Sequence, residues 1–101
     1  MGDPMYIFFT EAVAGDESKY RPGARHALIV YVTGTTSDEA QEKALREVDG
    51  AGWIYPRVIT CGPVVNEALA DRHPIMQQAL DGAREAGASM IVYTEEIPHN
   101  A

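Results

Sequence analysis

The segment from His26 to Cys61 constrains this chain more than any other. An apolar run, Ala27-Leu28-Ile29-Val30-Tyr31-Val32, enters a small polar turn, Thr33-Gly34-Thr35-Thr36-Ser37. A charged stretch at helical spacing follows, closed by Gly50 or Gly52, and a second β-type run reaches from Ile54 to Cys61. That order reads as strand, helix, strand, and it sets the class as mixed α and β. The first run is apolar on both alternating faces, so its strand is expected to be central and covered on both sides.

The helix is expected to begin at Thr36 or Ser37. Thr36 with Glu39 three residues on has the capping-box pattern, and Asp38 and Glu39 sit where the helix dipole favours negative charge. Ala40, Ala44, Leu45 and Val48 form its apolar stripe. Trp53, just past the helix end, is expected to pack back on it. Upstream, Met5 to Thr10 is dense in β-formers and reads as a strand that runs on through Glu11-Ala12-Val13, before an exposed loop from Gly15 to Gly23. Tyr55 to Cys61 is the third strand, with Pro56 marking its start or an edge position. Asn66 is expected to cap a short helix, Glu67 to Arg72, and Pro74 then to break or restart it. A second main helix runs from about Ile75 to Ala86, with a stripe of Ile75, Met76, Ala79, Leu80 and Ala83, and Ser89 to Thr94 is the last strand.

The elements are therefore β-β-α-β-α-β in one domain covering residues 1–101, with 1–4 and 96–101 expected to fray. Two strand–helix–strand crossovers, both right-handed, place the two helices on one side of a four-stranded mixed sheet. The expected fold is an α+β two-layer sandwich that resembles a ferredoxin-like plait, with the N-terminal strand inserted between the second and third. Two helices are too few to cover both faces of such a sheet, which favours two layers over three.

Composition bounds the function. A net charge of −7 argues against nucleic acid and against anionic lipid as partners. The single cysteine, Cys61, cannot make an intrachain disulfide, and no basic-then-apolar leader is visible, so the expected location is the cytoplasm. The longest apolar run is far shorter than the ~20 residues that cross a bilayer as a helix.

With the helices on one side, alternation assigns Ile7, Phe9, Leu28, Val30, Val32, Val58, Met90 and Val92 to the helix-covered face. The opposite face collects Tyr6, Phe8, Ile29, Tyr31, Tyr55, Ile59, Ile91 and Tyr93. Left bare, that aromatic face is larger than a monomer usually tolerates, so a second copy of the chain is the expected cover, with Tyr6, Phe8, Tyr31, Tyr55 and Tyr93 at the interface.

No motif specifies a chemistry. Cys61 precedes Gly62-Pro63 and a short helix, and with His73 as base it is a weak nucleophile candidate beside the ordinary reading of a small buried hydrophobe. His26, His73 and His99 lack metal-ligand spacing, so no metal or cofactor is expected. Thr33 to Ser37 presents backbone N–H groups to an anion, or simply caps the helix. Lys19, Arg21, Arg25 and His26 form a local positive cluster suited to an acidic protein or a small carboxylate ligand. The acid pairs Asp16-Glu17, Asp38-Glu39 and Glu95-Glu96 read as solvated, and Gly82 inside the second helix marks close approach to a neighbour. Two functions stand side by side: a small homodimeric binding or regulatory module without catalysis, and a small enzyme or ligand-binding protein with a pocket at the sheet–helix or dimer seam, using Tyr31, Tyr93, Cys61 and His73.

Overall fold

The computed structural model describes residues 4–64 and 74–98. Its elements follow the expected order: β1 (Met5–Ala14), β2 (Arg25–Thr33), α1 (Ser37–Gly50), β3 (Trp53–Pro63), α2 (Pro74–Ala86) and β4 (Ala88–Glu96). The short helix expected at Glu67 to Arg72 lies outside the described residues. The fourth strand continues through Glu96, and the Ile97 N–H donates to the Arg25 carbonyl, so the chain stays tied to the sheet beyond Thr94.

The strands form one sheet in the order β3-β1-β2-β4, and every neighbouring pair is antiparallel. The N-terminal strand does insert between the second and third, but the sheet is not mixed. Since β2 and β3 are both antiparallel to β1, they point the same way. Since β4 is antiparallel to β2, it points against β3. The connection through α2 therefore joins opposite edges of the sheet in opposite directions. It is not a parallel crossover, and the handedness rule that would hold α2 on the side of α1 does not apply to it.

The two helices accordingly lie on opposite faces, and the expected two-layer packing is corrected to helix, sheet, helix. Ala40, Ala44 and Val48 of α1 pack with Phe8, Ala12, Leu28, Val30, Val32 and Trp53. Ala79, Leu80 and Ala83 of α2 pack with Met5, Ile29 and Tyr31. Leu28, Ile29, Val30, Tyr31 and Val32 are all buried, alternating between the two cores. One helix per face suffices because each covers only part of the sheet. Helix α2 contacts β2 and β4.

Local chemistry explains the ends. Thr36 caps α1, its Oγ1 accepting from the Glu39 N–H at 3.2 Å, and the Glu39 carboxylate accepts from Thr35 Oγ1. Gly52, at φ +92°, turns the chain from α1 into β3; a Cβ there would stand 2.8 Å from the Ser18 nitrogen. Trp53 is buried at the start of β3. Two register shifts interrupt the β1–β3 ladder, one between Phe9 and Thr10 and one between Glu11 and Val13. The second leaves an extra residue in β3 near Tyr55, which has φ +52° and precedes Pro56. Bulges and proline blunt this edge strand.

Candidate functional site

The register reassigns the faces. Tyr6 pairs with Val32, Phe8 with Val30 and Thr10 with Leu28, and directly paired residues share a face. Tyr6 and Phe8 therefore belong to the α1 side, where Phe8 has no exposed surface and Tyr6 packs against the first core. Tyr31 is buried in the α2 core. Tyr55 stands 79% exposed on the β3 edge, and Tyr93 is 47% exposed on β4. The five residues expected to form one aromatic interface are thus divided among two cores and two edges. Burial, and secondly the neighbouring Tyr93 phenol, hold the Tyr31 phenol above its ordinary range.

The positive loop is likewise taken apart. Arg21 reaches Glu96 through both Nε and Nη2, tying the β1–β2 loop to the end of β4. Arg25 Nη1 lies 4.0 Å from Glu11 Oε1 across the strands. Lys19 is exposed. His26 is buried, so it offers nothing to a ligand in solution. Its ring lies tilted 4.9 Å from Tyr20 and edge-on 5.3 Å from Trp53, centroid to centroid. A carbonyl only accepts, so His26 Nδ1 carries the proton and donates to the Tyr93 carbonyl at 2.8 Å. That contact spans the stretch where the β2–β4 register slips between His26 and Leu28. The other ring nitrogen, Nε2, is buried without a hydrogen-bond partner.

Cys61 is exposed on the β3 edge. His73 and His99 lie outside the described residues. Among the described residues no group of three or more His, Cys, Asp or Glu has the geometry to hold a metal ion. In the Thr33–Ser37 turn, Thr36 Oγ1 caps α1, Thr35 Oγ1 donates to the Glu39 carboxylate and Thr33 Oγ1 donates to the Gly87 carbonyl, while Lys43 Nζ donates to the Thr33 carbonyl at 2.7 Å and to its hydroxyl. A Cβ on Gly82 would lie 3.7 Å from the Ser89 Cβ, which is ordinary contact. The approach of α2 to β4 is instead recorded by Ser89 Oγ donating to the Ala79 carbonyl.

Two surfaces stand out among the described residues. On the face opposite α1, Phe9 (39% exposed) and Ile54 (42% exposed) lie open on β1 and β3, with half-buried Val13 directly across from Ile54. Glu11 sits in the same patch, directly across from Arg57 on one side and paired with Arg25 on the other. The second surface is a groove of about 450 Å³ between the first turn of α2 and β4. Pro74, Ile75, Met76, Ile91, Val92, Tyr93 and Thr94 line it. Its volume falls within the range of small-ligand sites, but Cys61 stands at the far edge of the sheet from it. Sequence reasoning missed Phe9 and Ile75 as surface residues because both fit apolar stripes, and Ile54 because the third strand reads as starting at Tyr55 and so gives Ile54 no face. It missed Tyr20 because the residue sits among charges in a loop.

Among known proteins, no family model, no curated protein and no solved structure matches this chain. The fold and its surfaces define a small α+β domain with an antiparallel sheet held between two helices, and among the described residues no helix is long and apolar enough to cross a membrane.

Proposed function

We propose that this chain is a small binding module that associates with a second copy of itself through the open part of the sheet opposite α1. The observation that carries the reading is the exposure of Phe9 and Ile54 on neighbouring strands, beside cross-strand charges of both signs. Apolar side chains in such a patch gain from burial at about 25 cal/mol per Å². Glu11, with Arg25 and Arg57 around it, makes the patch self-complementary: a two-fold axis brings the carboxylate of one copy toward the guanidinium groups of the other. The exposed thiol of Cys61 fits a reducing compartment such as the cytoplasm.

The test is molar mass in solution. The native chain is expected at twice its 11.0 kDa mass, and Phe9→Glu or Ile54→Glu at the single mass with an unchanged far-ultraviolet spectrum. A native protein that stays monomeric at a concentration of about 100 μM sinks the reading.

A further inference from the structure

We propose that the outer edge of β4, with the groove beside it, takes up an extended apolar segment of a partner protein as a fifth strand. Among the described residues β4 pairs with β2 alone. The Thr33 N–H donates to the Gly87 carbonyl, and hydrogen-bonded pairs alternate with unbonded ones along an antiparallel ladder. Counting along the register, Tyr31–Ser89 and Ile29–Ile91 are bonded pairs, while Val30–Met90 and Leu28–Val92 are not. The N–H and C=O groups of Met90 and Val92 therefore point away from β2, spaced to receive a strand. The ladder is regular from Ala88 to Val92, in contrast to the β3 edge with its two register shifts and Pro56.

The groove specifies the occupant. Four consecutive β4 residues line it, so it follows the strand's length. Across from them stands the first turn of α2, where Ile75 is 66% exposed. A strand edge beside a helix, with an apolar trough between them, gives backbone pairing for affinity and pockets for alternate side chains. The strand carries no cation, and while Arg21 holds Glu96, Glu95 stands exposed beside it near the strand's end. A segment flanked by lysine or arginine gains from that carboxylate in a chain of net charge −7. The occupant is therefore an extended segment with apolar residues at alternate positions and a basic flank. This site is separate from the self-association patch, so either proposal can fail without the other.

The experiment uses the full chain and a fluorescein-labelled peptide, Lys-Val-Thr-Val-Thr-Val-Lys, followed by anisotropy. Binding is expected with a Kd below about 200 μM, weakened at least ~10-fold by Ile75→Lys. Val92→Pro removes an outward N–H without touching the β2 ladder and is expected to weaken binding as strongly. Because that change also alters packing, amide exchange supplies an independent readout: Met90 and Val92 exchange fast in the free protein and slow on adding peptide. Protection of both amides already in the free protein, or no binding at 1 mM peptide (about −4 kcal/mol at best), overturns the proposal. Binding without slowed exchange at Met90 and Val92 overturns strand addition. A dimer that Ile75→Lys converts to monomer assigns the edge to a second copy and overturns it as well.

Discussion

His26 closes the carbonyl of Tyr93 beside the register slip and fills the space between Tyr20 and Trp53. Removing the ring leaves a cavity between Tyr20 and Trp53 and a part-buried carbonyl without its donor, so His26→Ala is expected to cost about 2–4 kcal/mol in denaturant unfolding. Tyr31 gives a pH dependence. Its phenol ionises at higher pH in the folded chain than the ordinary value of about 10. Below that value both states are neutral and the contribution is whole; above it the unfolded chain releases the proton first, and stability falls until the folded phenol ionises too. Unfolding measured through that alkaline window is expected to show a shallower decline in Tyr31→Phe than in the native chain. Gly52→Ala places a Cβ at positive φ against the backbone of Glu17 and Ser18 and is expected to cost about 1–3 kcal/mol in the same assay. The place of His26 was readable from its spacing: it stands two residues before Leu28, on the strand position that faces the first core. Its neighbours Arg25, Arg21 and Lys19 masked that periodicity with charge.

At the scale of elements, α1 was the most legible. Its cap, acidic first turn and stripe all depend on local spacing; the cap and the acids are present, and of the stripe Ala40, Ala44 and Val48 are buried while Leu45 is half-buried. The face of β1 was not legible, because the pairing register across a long loop decides it. A one-residue difference in register moves every side chain to the other side, and Tyr6 and Phe8 changed faces by that route. The bulges in β3 had only Pro56 as a signal. Tyr55, at positive φ and exposed, predicts an unusual substitution outcome. Tyr55→Gly is expected to leave thermal stability unchanged or raise it by up to about 1 kcal/mol, where glycine elsewhere in a strand costs a similar amount. In α2, Ile75 belongs to the apolar stripe yet lies exposed, since the helix contacts the sheet through Ala79, Leu80 and Ala83.

At the scale of the molecule, class and element order followed from periodicity, whereas the layering did not. It turned on the direction of the last strand, which no residue between Pro74 and Ala88 encodes. Had β4 run parallel to β3, α2 would have been held to the side of α1. With α2 on the other face, Leu80→Ala is expected to lower stability by about 2–4 kcal/mol, and hydrogen exchange should accelerate first in α2 and β4 while α1 stays protected.

Every fully enclosed member of the α1 core falls between Phe8 and Trp53. A nascent chain thus holds the ingredients of this hydrophobic nucleus once Trp53 has been added, before α2 and β4 have been made. Those two elements then add the second layer to a hairpin already braced by a helix.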